Sequence, residues 1–246
     1  MSVVYGIHPV EEALRSRARA VEYVAFARDR HDAKLQRVIE QCRSAGVAVR
    51  FLPREELRRL AHAETHQGVV AVVAARQYAD LEDLLRVRRG QHAFLLVLDG
   101  VEDPHNLGAI IRSADGAGAD GVIIPERRAA GITATVDKVA AGAAEHLPIA
   151  RVSNIGRTID ELKKQNIWTV GLDERGSQSY DGLDYTMDCA LVLGAEGAGL
   201  HELVRKKCDF LVSIPMLGRV PSLNVSVAAA VVMYELARQR RAKNSS

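Results

Sequence analysis

The sequence predicts an α/β protein, with a mostly parallel sheet in residues 93–246, a smaller α/β unit in residues 1–75, and residues 76–92 joining them. Three observations predict this. Short apolar runs of strand type alternate with segments of helical period, the pattern of a sheet covered by helices on both faces. The 246 residues suffice for one large domain or two modest ones, each burying a real core. Hydrophobic residues at 48% and charged residues at 26% describe an ordinary globular chain, without internal repeat or low-complexity segment.

In the first unit, VEYVAFA (21–27) is β-like, and KLQRVIEQCRSAG (34–46) has helical period and stops on Gly46. VAVRFL (47–52) is again β-like, PREELRRLA (53–61) enters a helix on Pro53, and GVVAVVAA (68–75) is a buried strand. RQYADLEDLLRVRRGQH (76–92) loses the strand pattern and fits a charged linker carrying a helical turn or two. From residue 93 the alternation is longer. The strand FLLVLDGV (94–101) leads through the turn DPHN to the helical LGAIIRSADGAG (107–118) and then to the strand GVIIP (121–125). TVDKVAAGAAEH precedes IARV, and TIDELKKQN precedes IWTVGL. CALVLG (189–194) leads through a glycine loop to LHELVRKKC, and FLVSIP (210–215) leads through a long turn to the final helix NVSVAAAVVMYELARQRRA.

No basic stretch followed by an apolar one opens the chain, and no apolar run is long enough for a bilayer, so a cytoplasmic protein without a membrane partner is expected. Cys42, Cys189 and Cys208 are odd in number, outside any C-x-x-C, and read as buried thiols in a reducing compartment. The net charge of +2 divides unevenly: residues 1–75 carry +3 and residues 93–246 carry −2. Arginine makes up 26 of the 33 basic residues, which suits phosphate contacts and stacking on bases, although a GC-rich genome would give the same bias. The composition permits RNA binding without showing it.

GAGADG (116–121) has the G-x-G-x-x-G spacing of a dinucleotide loop at Gly116, Gly118 and Gly121. It follows a helix and precedes a strand, the reverse of the order such a loop needs, so its glycines are expected to stop the helix. GAEGAGL (194–200) is different: it follows an apolar strand and runs into a helix, at the strand end where α/β sheets bind ligands. Gly194, Gly197 and Gly199 let backbone approach a flat ligand, and Glu196 puts a carboxylate in mid-loop, where it also suits a helix start. Two further polar clusters follow strands: EDPHNLGAIIRS, with Asn106 and Arg112, and MLGRVPSLNVSV, with Ser222 and Asn224. Asn106, Ser222 and Asn224 would each serve as an N-cap, and Arg112 as a solvated helix residue; three such clusters at strand ends also suit one shared site. His62 and His66 lack a third ligand at a useful spacing, so no metal is expected. No Walker loop or G-x-S-x-G is present.

NLGAIIRSADGAGADGVII, LVLGAEGAGL and SIPMLGRVPSLNVSVAAAVVMYE resemble, in order, the three motifs of the SpoU group of RNA ribose 2′-O-methyltransferases in the SPOUT class. DKVAAGAAEHLPIARVSN, YGIHPVEEAL and HQGVVA extend the resemblance over nearly the whole chain, toward the bacterial enzymes acting on guanosine in 23S rRNA. The resemblance implies a trefoil-knotted catalytic domain binding S-adenosyl-L-methionine, a small N-terminal L30e-like domain that grips RNA, and a homodimer through the C-terminal helix. It implies that the backbone at Gly194, Ile214 and Leu223 holds the adenosine, while Asn106, Arg112, Glu196, Ser222 and Asn224 surround the methyl group and the target ribose. Pro221 departs from the small or hydroxylated residue that relatives often carry before the serine.

These residue types suit methyl transfer to a 2′-OH, an in-line displacement in which positioning does most of the work. A guanidinium stays protonated, so Arg112 suits phosphate contact and alkoxide stabilisation better than proton abstraction. Two other functions share the pattern: a tRNA ribose 2′-O-methyltransferase of the same family, and a non-catalytic rRNA-binding assembly factor.

Overall fold

Strand and helix succeed one another as the hydrophobic periods require. The structure, a computed structural model, describes residues 2–17, 21–30, 32–74 and 78–244; the end of the GVVAVVAA run and the first two residues of the expected linker lie outside the described residues. The chain begins with β1 (Ser2–Tyr5) and α1 (Ile7–Arg17), neither marked by the sequence patterns above, then β2 (Val21–Ala27), α2 (Ala33–Ser44), β3 (Ala48–Leu52), α3 (Arg54–Ala61) and β4 (Val69–Val73). These strands form a mixed sheet of order β1-β4-β2-β3, in which only β2 and β3 run parallel. Val10, Leu14, Leu35, Val38 and Cys42 from α1 and α2 cover one face, packed on Val4, Val24, Phe26 and Ala71. Leu57 and Ala61 of α3 cover the other, against Tyr5, Ala25 and Val70.

The second sheet belongs to the rest of the chain. Its elements are α4 (Leu81–Arg86), β5 (Phe94–Asp99), α5 (Pro104–Gly116), β6 (Gly121–Pro125), then, after α6 (Ala134–Val139) and α7 (Ala143–His146), β7 (Ile149–Val152), α8 (Ile155–Lys164) and β8 (Trp168–Leu172). The chain continues through β9 (Gln178–Ser179), β10 (Cys189–Gly194), α9 (Glu202–Lys207), β11 (Phe210–Ser213) and α10 (Val225–Asn244). The strand order is β7-β6-β5-β10-β8-β11-β9 and every pairing is parallel. Central strands β5 and β10 are buried along their whole length, so they read as continuous apolar runs.

Two details of organisation differ from the sequence expectation. The chain divides into one unit of residues 1–77 with 131–146 and another of 78–130 with 147–246. Residues 131–146 join the first unit because α6 packs beside β1, Lys138 Nζ donates to Thr65 Oγ1 at 2.7 Å, and His146 pairs with Glu12. Most of the expected linker belongs to the second unit: Leu84 of α4 is fully buried in its core with Leu95, Ile123 and Ile159. Leu81 and Leu85 pack beside it, and the charged residues around the three masked these apolar anchors.

Helix α10 is tied to the second sheet by Arg240. Its guanidinium donates to the carbonyls of Tyr185 (3.0 Å), His92 (2.9 Å), Ala93 (2.8 Å) and Met187 (2.7 Å). Charge-assisted bonds of this kind are worth more than neutral ones, and losing them orphans part-buried carbonyls. Arg240→Ala should therefore cost about 2–4 kcal/mol in urea unfolding. A loss within 0.5 kcal/mol, as for an ordinary surface substitution, would show that the carbonyls find other partners.

Candidate active site

The carboxyl ends of β5, β10, β8 and β11 lie side by side, because these strands are consecutive neighbours in the parallel sheet. Residues just beyond them are brought together from distant parts of the chain, as expected of a ligand site in an open α/β sheet. Beyond β5, Asp103 caps α5 by accepting from His105 N at 2.8 Å, with Pro104 opening the helix. Asn106 is thus not the N-cap; it lies buried in the first turn with its amide free to bond elsewhere. Beyond β10, residues 195–199 close on themselves, Ala195 N donating to Gly199 O at 3.0 Å and Gly199 N to Ala195 O at 2.9 Å. A Cβ on Gly194 would fall inside the backbone of Gly199 and Leu200, so only glycine lets this loop fold back on its strand.

Three of the polar residues meet. Asn106 Nδ2 donates to Glu196 Oε2 at 2.9 Å, and Asn224 Nδ2 donates to Asn106 Oδ1 at 3.0 Å and to Glu196 Oε1 at 3.2 Å. Asn224 also accepts from Ser226 N at 2.9 Å and Ser226 Oγ at 2.6 Å, so it caps α10 and joins the cluster at once. The cluster spans the ends of β5, β10 and the turn after β11, and each amide is fixed by the others. Glu196 is consumed here rather than at a helix start, since α9 begins only at Glu202 with His201 as its cap.

A cleft of about 160 Å³, open to solvent, is lined by Glu196. Its walls are the glycine loop including Gly194, Gly197 and Gly199, apolar Leu172, Leu193 and Val225, and the residues Ile214, Ser222 and Leu223 after β11. Pro221 lines the same wall, directly before Ser222. Asp173, Glu174 and Arg175, beyond β8, line the cleft too, and the sequence patterns did not single them out. The strand-end rule that exposed the other loops applies equally to DER (173–175) after IWTVGL. Asp173 is buried, and Arg175 holds it through Nε at 2.8 Å and Nη2 at 2.9 Å, which keeps its carboxyl below the ordinary range. Asp99 is a second overlooked carboxylate at a strand end, accepting from His201 N at 2.9 Å.

Apolar walls for a flat base, loop backbone within reach and acidic side chains facing a cationic centre are the features that a positively charged adenosyl sulfonium requires. The residues present fit S-adenosylmethionine. Arg112 takes no part in the hydrogen bonds of the three-residue cluster and is exposed on α5.

The remaining motifs resolve differently. Gly118 ends α5 at φ +81°, with Gly118 N donating to Asp115 O and Ala119 N to Ala114 O, the paired bonds of a Schellman stop. GAGADG is a helix terminator. Gly118→Ala should cost about 1 kcal/mol from the left-handed φ and leave donor affinity unchanged in calorimetry; a lost nucleotide site would reverse that assignment. His62 ends α3 and His66 accepts from Gly68 N, so the two share no helix face. Among the described residues no group of side chains could hold a metal, and no helix is long and apolar enough to cross a membrane.

Fold and site together define an S-adenosylmethionine-dependent RNA 2′-O-methyltransferase, with a parallel-sheet catalytic domain and an N-terminal α/β substrate-binding domain. The chain belongs to the SpoU rRNA methylase family, which residues 93–234 match, while residues 3–79 match the RNA 2′-O ribose methyltransferase substrate-binding domain. It is 46% identical over 240 residues to the 23S rRNA (guanosine-2′-O-)-methyltransferase RlmB of Bordetella pertussis, covering 97% of this chain and 98% of the relative. It is 45% identical over 239 residues to YacO of Bacillus subtilis, a protein named for the TrmH family of tRNA/rRNA methyltransferases, covering 96% of this chain and 95% of the relative. Among solved structures, the SpoU methyltransferase AviRb of Streptomyces viridochromogenes with AdoMet superposes with a TM-score of 0.83 at 32% identity, covering 97% and 90%.

Proposed function

We propose that this chain methylates the ribose 2′-OH of a guanosine in 23S rRNA, in the cytoplasm. The observation that carries the chemistry is the Asn106–Glu196–Asn224 cluster beside the cleft; the RlmB likeness over nearly the whole chain supports the choice of RNA. The bound donor supplies a sulfonium methyl group. Gly194, Gly197, Gly199, Ile214 and Leu223 line the cleft and hold its adenosine part. Glu196 and the two asparagines orient the ribose hydroxyl, with Ser222 on the cleft wall beside them. Exposed Arg112 is free to meet an RNA phosphate and offset charge developing on the ribose oxygen.

The first unit serves RNA binding, in line with the substrate-binding match and the +3 carried by residues 1–75. A second copy pairs through α10, which leaves Val227 and Tyr234 exposed. The family resemblance supports a trefoil-knotted path at the C-terminal end of the catalytic domain. Mapping 2′-O-methyl groups on rRNA and tRNA from cells lacking the protein tests the proposal. One guanosine methyl should vanish from 23S rRNA; a methyl lost from tRNA instead, an outcome the name of the Bacillus relative admits, would move the substrate. An unchanged map would leave a non-catalytic binder.

A further inference from the structure

The strongest unexplained feature of the cleft is the Asp173–Arg175 pair. Asp173 has a side chain only 1% exposed, whereas that of Arg175 is 51% exposed. A carboxylate is almost never buried this deeply unless it is paired, and here the partner is a guanidinium that stays half exposed on the cleft wall. Asp173 accepts from Arg175 N (2.9 Å), Nε (2.8 Å) and Nη2 (2.9 Å), so backbone and guanidinium are both locked. The glycine loop passes directly over the pair: a Cβ on Gly199 would stand 3.7 Å from Asp173 Oδ2. The guanidinium has five N–H donors, and the buried carboxylate occupies its Nε and Nη2 edge, which leaves Nη1 unused by that pair. Exposed Glu174, between the two, lines the same wall.

We propose that Asp173 presents Arg175 as the recognition site for the α-carboxylate of the donor's amino-acid part, with Glu174 facing its α-ammonium. The proposal rests on the donor assignment made above. A planar, always-charged guanidinium is the residue suited to a carboxylate, and pre-orientation by a buried partner lowers the entropy lost on binding. An acid and a base adjacent on one wall match the two charges of a zwitterion, whereas an RNA phosphate brings no cation to offset its repulsion by Glu174.

The test compares S-adenosylmethionine with its decarboxylated analogue, which keeps the adenosine, the sulfonium and the amine. Calorimetric dissociation constants are measured for both on the full-length protein and on Arg175→Gln and Arg175→Lys. The wild type should prefer the intact donor by about tenfold or more, the scale of a charge-assisted bond. Arg175→Gln should bring that ratio close to one while the analogue binds as before, and Arg175→Lys should keep part of the preference. The ratio is taken within each variant, so a partly unfolded sample does not imitate the result. An equal ratio in all three proteins overturns the clamp and leaves the donor assignment standing. A wild type that binds neither compound removes both. If Arg175→Gln keeps the ratio but weakens binding of a 23S rRNA fragment, the arginine serves a phosphate and the proposal fails.

Discussion

Asn106→Ala should lower methyl transfer by at least about a hundredfold while leaving donor affinity within about twofold of the parent, since misplacing reacting groups by about an ångström costs that much. The side chain joins Glu196 at 2.9 Å and Asn224 at 3.0 Å but does not line the donor cleft. It is also buried, 6% exposed, so a stability loss of about 1–2 kcal/mol accompanies its removal. Glu196→Gln and Asn224→Ala should each lose activity on the same scale. Because the three act as one unit, the Asn106→Ala/Asn224→Ala double variant should be barely worse than either single variant. Single-turnover rates at saturating donor measure this. Losses that simply add would show that the asparagines act independently and that the hydrogen-bonded triangle is not the working element.

Gly194→Ala should abolish donor binding altogether and lower the melting temperature. The added methyl has nowhere to go: Gly199 and Leu200 offer backbone, which cannot rotate aside as a flexible side chain would. Something in the loop must shift, and the cleft wall shifts with it. Gly197→Ala is the contrast, because open space surrounds its Cβ position and only the φ of +75° resists substitution. That variant should lose about 1 kcal/mol of stability and keep a measurable donor site. Equal effects at the two positions would mean that the backbone collision at Gly194, which Gly197 lacks, does not decide donor binding. The cause at Gly194 is thus internal to the protein: it is the loop, and not the ligand, that a side chain there displaces.

The sheet and its strand-end loops are legible in the sequence because parallel strands buried on both faces leave unbroken apolar runs such as FLLVLD and CALVLG. Polar residues immediately after such runs stand out, which is why Asn106, Glu196 and Asn224 could be selected from three separate stretches. Their mutual hydrogen bonds could not be selected, because 90 residues separate the first two and 28 the last two. Local capping rules assign a helix-start role to Asn106, yet Asp103 takes it and releases the asparagine for the cluster. Asp173 and Arg175 were missed for the opposite reason: a two-residue ion pair on a turn looks like surface charge until its burial is known. The domain boundary was hidden because residues 131–146 return to the first unit through contacts with Thr65, Glu12 and β1, which no periodicity encodes.

Transfer of a methyl group to a ribose oxygen by the cluster and cleft can be read directly when the purified protein is incubated with S-adenosylmethionine labelled in its methyl group and full-length 23S rRNA, and the RNA is then hydrolysed with alkali. A methyl on the 2′-oxygen removes the hydroxyl that alkali needs to cleave the adjacent phosphodiester, so the label should appear in a single alkali-resistant dinucleotide whose 5′ nucleoside is guanosine. The Asn106→Ala protein, still binding donor, should leave it at least about a hundredfold slower to form. Label recovered in mononucleotides, which places the methyl on a base, or no label at all with donor bound, would contradict the account.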